Sequence, residues 1–269
     1  MPMMTPFSYK EDMNILFAEE AKEVQDVKAN YEVLNSEDKI ALKSIYDFEF
    51  VNTKMIHHYL KDIFTDGYNF RNRLRKYIDM GFIKSYYFRL QDGERTSNIH
   101  ILTDETKKIL EEHFAVDTKI ANIEPINENI LYILKKLALN QFLIGGKKFI
   151  RQYESLNNKY VDYLIYYEES QIEFYVKVLR LNNRNEEEMS EAIRYVNSIS
   201  NKKKKIIFIF EDAIHLEDNA GHFLLPKYRQ HILFQLDTRV FNFPDFFFTV
   251  DIISERETGY GRIHINNLI

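Results

Sequence analysis

The chain has 269 residues, enough for one large domain or two small ones. Its 45% hydrophobic and 29% charged residues are ordinary for a folded protein, and its 8 Gly and 5 Pro leave little room for long flexible linkers. The absence of cysteine excludes disulfides, thiolate metal sites and cysteine nucleophiles, and the net charge of −5 does not advertise nucleic-acid binding.

Residues Met1 to Asp12 lack the charged-then-apolar order of a secretory signal. The densest apolar runs, Ile206–Phe210 and Phe246–Ile253, are too short to span a bilayer. A cytoplasmic protein without membrane contact is the expectation. Charge is uneven: Met1 to Val51 holds 5 basic against 11 acidic residues, whereas Asn52 to Ile101 holds 9 basic against 5 acidic. A basic island in an acidic chain points to a local anionic partner.

The opening segment, Tyr9 to Tyr31, favours helix, with Met13, Leu16, Phe17, Val24, Val27 and Tyr31 roughly on one face. That face packs on its own domain or makes a dimer contact. Ser36 reads as the cap of a helix with Ile40, Ala41 and Ile45 on its apolar stripe, and Glu37 and Asp38 suit its positive end. Thr53 reads as the cap of a second helix carrying Ile56, Tyr59, Leu60 and Ile63. Thr65-Asp66-Gly67 makes a tight turn into a third helix, Tyr68 to about Met80, stopped by Gly81. Two strands, Phe82–Leu90 and Asn98–Leu102, flank the turn Gln91–Arg95, and Thr103 caps a last helix over Asp104–Phe114. Helix, helix, turn, helix, hairpin is the order of a winged helix-turn-helix, expected over 36–116 after a helical segment at 1–35.

In the third helix Phe70, Leu74, Tyr77 and Ile78 form the inner face by spacing. Asn69, Arg71, Asn72, Arg75, Lys76 and Asp79 fall outside, with Arg73 at the flank. Arg matches guanine and Asn matches adenine on the major-groove edge, because both offer planar groups for paired hydrogen bonds. Asn69, Asn72, Arg75 and Lys76 are the expected base readers; Arg71, Arg73, Lys84, Arg89 and Arg95 are the expected holders of backbone phosphate. A solvated basic face, or a protein-binding winged helix acting as an adaptor, are the competing readings. His57 and His58, about 100° apart on the second helix, make a poor metal pair.

Asp117 to Pro125 reads as a boundary, followed by an α/β domain at 126–269. Asn127–Gln141, Glu186–Ser198 and Pro226–Val240 read as helices; Tyr160–Tyr167, Ile172–Leu181, Lys205–Phe210 and Phe246–Ile252 read as strands. One sheet with helices on its faces follows, making the whole chain α+β. Asp162 lies on one strand, and Glu173, Tyr175 and Lys177 share a face of the next by alternation. The Asp162 … Tyr175-Val176-Lys177 arrangement resembles the PD-(D/E)xK nuclease core over roughly Asn127–Phe210. In that core carboxylates hold Mg²⁺ and the lysine orients water. Here Tyr175 replaces the expected acid, Val161 replaces the expected proline, and Glu173 is one pleat away. The resemblance therefore implies a degenerate, non-catalytic core without a cofactor. The alternative is a Mg²⁺-dependent nuclease using Asp162, Glu173 and Lys177.

A winged helix followed by such a core resembles the replication-relaxation family of plasmid and mobile-element proteins. That resemblance implies double-stranded DNA binding at a replication origin or transfer region, and a homodimer would double the half-sites read. Gly145-Gly146-Lys147-Lys148 lacks phosphate-loop spacing. Lys202–Lys205 is a solvated loop or a phosphate contact. Glu211, Asp212, His215, Glu217, Asp218 and His222 form a polar loop or a metal cluster without tight spacing. No nucleophile elbow is present.

Overall fold

The computed structural model describes residues 14–19, 24, 26–89, 98–114, 130–146, 150–156, 158–167, 172–180, 185–199, 203–211, 216, 232–236, 246–254 and 257–264. They form an α+β protein with two sheets. Two compact units divide the chain, one spanning Lys10–Asn140 and the other containing Gln141–Ile269. Among the described residues no helix is long and apolar enough to cross a membrane.

The first unit runs β1 (Asn14–Glu19), α1 (Val27–Glu32), α2 (Ser36–Phe48), β2 (Val51–Asn52), α3 (Thr53–Tyr59), α4 (Gly67–Asp79), β3 (Ile83–Arg89), β4 (Ile99–Leu102) and α5 (Asp104–Phe114). Its sheet has the order β1-β3-β4-β2, with antiparallel neighbours. Helix starts are set one residue earlier than Ser36 and Thr53 suggest. The Asn35 side chain accepts from Asp38 N at 2.8 Å and Asn52 from Met55 N at 2.9 Å. Asn is among the strongest N-caps because its short amide oxygen reaches the orphan donors of the first turn. Gly81 ends the α4 region at φ +81°, a conformation other residues adopt only with strain.

The opening segment departs from the helical expectation. Among its described residues helix begins at Val27, in α1, with Val27 and Tyr31 buried, whereas Asn14–Glu19 is a strand. β1 pairs along β3 from Asn14↔Arg89 to Glu19↔Ser85, so it belongs to the first sheet. The open edge of β3 offers backbone partners to an apolar Ile-Leu-Phe run, and those cross-strand bonds outweigh local helix preference.

Helix α6 (Ile130–Gly145) follows. The division between units falls at its Asn140, later than 117–125. Its first part bonds to the α2–β2 turn: Asn140 Nδ2 donates to the carbonyls of Phe48 (2.7 Å) and Phe50 (2.8 Å), and Lys136 lies 3.3 Å from Glu49. Asp117 to Pro125 lies outside the described residues.

The second unit continues with β5 (Ile150–Ser155), β6 (Tyr163–Tyr167), β7 (Glu173–Val178), α7 (Asn185–Ser198), β8 (Lys204–Phe210), β9 (Ile232–Leu236), β10 (Phe246–Ser254) and β11 (Glu257–His264). The sheet order is β11-β10-β9-β8-β7-β6-β5. β5, β6 and β7 form an antiparallel meander, β7 to β9 are parallel, and β9 to β11 are antiparallel. Residues 232–236 correct the helix expected over Pro226–Val240. Ile-Leu-Phe-Gln-Leu is buried throughout between two strands, and so short an apolar run carries no periodicity to tell strand from helix. Met189, Ala192, Ile193 and Val196 of α7 pack in one apolar cluster with Val161, Tyr175, Leu179 and Phe208.

Candidate nucleic-acid interface

α4 is amphipathic in the way its spacing requires. Phe70, Leu74, Tyr77 and Ile78 are buried, while Asn69, Arg71, Asn72, Arg75, Lys76 and Asp79 are exposed. Among the described residues Arg71, Arg75 and Lys76 enter no ion pair, so three cations and two amides stand on one open face. Asp66 fixes the start of the helix by accepting from Tyr68 N at 2.8 Å. His57 supports that turn from α3: its Nε2 lies 3.0 Å from the Phe64 carbonyl and its ring is packed against Phe70. His57 is thus part of the scaffold.

Arg73 sits differently from its neighbours. Its guanidinium donates to Asp38 Oδ1 at 2.6 Å, lies 3.7 Å from Glu37, and covers the Phe64 ring at 4.9 Å. Burial draws its pKa down, but the hydrogen bond and charge of Asp38 more than offset this and leave it raised. The phosphate-holding role expected for Arg73 therefore meets a side chain engaged within the fold. It ties α4 to the first turn of α2. Asp38 itself is buried and also accepts from the Tyr77 hydroxyl at 2.6 Å. Desolvation, reinforced by Asp38, pushes the Tyr77 pKa well up. Asp38 was legible only as a helix-dipole acid, since its partners lie 35 and 39 residues away.

The β3–β4 hairpin flanks this helix in sequence. Arg89 is exposed at the end of β3 and Lys84 is half-buried; Arg95 lies outside the described residues. Tyr86 and Phe88 are buried and Tyr87 is half-buried, as alternation requires. Beneath the hairpin His100 is buried, with Nδ1 2.7 Å from Ser85 Oγ and Nε2 2.8 Å from Thr53 Oγ1. Desolvation lowers its pKa to about 4, so the ring is neutral and joins β3, β4 and α3.

In the second unit Lys177 is brought to Asp162. Its Nζ lies 3.9 Å from Asp162 Oδ1 and 3.6 Å from Glu188 Oε2, and it donates to the Lys159 carbonyl at 3.1 Å. Glu188, on the first turn of α7, was not singled out from the sequence; an acid in an acidic helix start looks like a dipole partner only. Glu173 is not brought to this group. Asp162 itself stands just before β6 and not on the strand expected for it, whereas Glu173 pairs with Tyr166, four residues further on, and accepts from the Tyr175 hydroxyl at 2.9 Å. Burial, then that carboxylate, raises the Tyr175 pKa.

These residues do not fit a Mg²⁺ site. Asp162 Oδ2 accepts from Val178 N at 2.7 Å, its other oxygen faces an ammonium, and a tyrosine holds the position of the second acid. Among the described residues no group of three or more His, Asp or Glu converges to hold a metal ion. Lys204 donates to the Val196 and Ile199 carbonyls and so closes the C-terminal end of α7, where a cation is favoured. Glu211 is buried 3.8 Å from Arg180 Nε, while Asp212, His215, Glu217, Asp218 and His222 lie outside the described residues.

Compared with family models, curated proteins and solved structures, the chain matches none of them.

Proposed function

We propose that this is a sequence-selective double-stranded DNA-binding protein whose α4 enters the major groove. The observation that carries the reading is the open face of α4, where Asn69, Arg71, Asn72, Arg75 and Lys76 stand exposed above a fully buried apolar face. Planar amide and guanidinium groups on one helical face suit base edges, and cations suit phosphates. The order α2, β2, α3, α4, β3, β4 supports a winged helix-turn-helix, with the hairpin as the wing. Lys84, Arg89 and Arg95 would then meet phosphate, while Arg73 positions the helix.

The succession β5–β7, α7, β8 supports kinship of the second unit with the nuclease core, and the lysine placed between two carboxylates supports a non-catalytic version of it. Such a pairing favours a place in plasmid or mobile-element replication or transfer, or in transcriptional control, in the cytoplasm and as a homodimer. Enrichment of fragments from a random duplex pool tests the reading. A shared motif repeated at one helical turn is expected; recovery of no motif contradicts sequence selectivity.

A further inference from the structure

The second residue of α4 is a tyrosine that contributes nothing visible to packing. Tyr68 is 71% exposed, whereas the other two aromatic residues of the helix, Phe70 and Tyr77, are fully buried. Its backbone is fixed in the first turn, because Asp66 accepts from its N–H at 2.8 Å, and a side chain at the preceding Gly67 would begin 3.2 Å from the His57 ring. An aromatic ring standing in solvent at the start of the helix leaves its apolar face available to a partner.

Helical rotation of about 100° per residue sets Tyr68 in one row with Asn72 and Arg75. The row rises about 10 Å from Tyr68 to Arg75, which is about three base-pair steps. On the major-groove edge of a base pair the one methyl group is the thymine 5-methyl, set among hydrogen-bond donors and acceptors. Resting on the DNA-binding reading above, we infer that Tyr68 is a specificity-determining residue that packs its ring on a thymine methyl. Asn72 selects adenine and Arg75 selects guanine further along the same row. The half-site is then polar: its A·T end lies under the start of α4 and its G·C end under the helix's last turns.

The test uses the full chain and the duplex enriched from a random pool, with each thymine replaced in turn by deoxyuridine. At one thymine the lost methyl should weaken binding about four-fold. Tyr68→Ala should abolish that discrimination, and Tyr68→Phe, which keeps the ring and loses the hydroxyl, should preserve it. The inference is overturned if no thymine is sensitive, if Tyr68→Ala still distinguishes the two bases, or if Tyr68→Phe behaves like Tyr68→Ala, which would mark a hydroxyl–phosphate bond. Failure to enrich any duplex would overturn the DNA-binding reading as well. Enrichment that depends on Arg75 and Lys76 without thymine sensitivity would remove only the role of Tyr68. Because Tyr68 is exposed, all three proteins should share one melting temperature.

Discussion

The Asp38 carboxylate accepts a 2.6 Å hydrogen bond from the Tyr77 hydroxyl, joining the first turn of α2 to the last turn of α4. The same oxygen receives Arg73. This single buried acceptor sets how α4 sits on the domain. Asp38→Ala should destabilise the protein by about 2–3 kcal/mol, mostly by orphaning the buried Tyr77 hydroxyl. The partly exposed Arg73 contributes less, because solvent screens its half of the interaction. Tyr77→Phe, which leaves Asp38 its arginine, should cost about 1 kcal/mol. Urea denaturation of the two variants measures both, and equal losses would contradict the assignment.

His100 makes stability depend on pH. Its folded-state pKa is about 4 against an ordinary 6.5, so the unfolded chain takes up the proton first as pH falls. Stability is therefore complete above pH 6.5 and declines toward pH 4, by on the order of 3 kcal/mol in all. Denaturation midpoints between pH 6.5 and 5, above the range of ordinary carboxylates, isolate this slope. A His100→Gln variant should lack it.

Glu49 adopts φ 66° and ψ −55°, and the Phe50 N–H donates to the Phe48 carbonyl at 2.7 Å. This is a γ-turn of the rare positive-φ kind, which is strained for any residue but glycine. Glu49→Ala and Glu49→Gly both lose the contacts to Lys136 and Tyr132. Glycine alone also relieves the backbone. Thermal denaturation should rank Glu49→Gly above Glu49→Ala by about 1 kcal/mol.

Lys177 neutralises Asp162 and Glu188 in a setting where its own side chain is only 5% exposed. Lys177→Met should cost about 3 kcal/mol by leaving two carboxylates together. Combining it with Asp162→Asn and Glu188→Gln should recover part of the loss. Duplex DNA incubated with the unaltered protein and Mg²⁺ or Mn²⁺ should stay intact. Cleavage abolished by Asp162→Ala would contradict the non-catalytic reading.

The basic helix was legible in the sequence because period and polarity agreed: Phe70, Leu74, Tyr77 and Ile78 point inward and the Arg and Asn side chains outward. The nearby caps were displaced by one residue because Ser36 and Thr53 follow equally good Asn caps. β1 was misread because its partner, β3, lies about 70 residues on, and no local rule reports an open sheet edge. β9 was misread because a short, fully buried strand has no alternation. Asp38 and Glu188 were missed for a related reason. Each looks like an ordinary first-turn acid until the fold brings Tyr77 or Lys177 to it.

Whether the open cationic face of α4 meets duplex DNA is tested most directly by the salt dependence of binding. Affinity for an enriched duplex should fall steeply and log-linearly with salt, with a slope of about −0.9 for each phosphate contact. The Arg75→Ala/Lys76→Ala double variant should bind far more weakly at low salt while melting at an unchanged temperature. Unaltered affinity and slope in that variant would contradict the account.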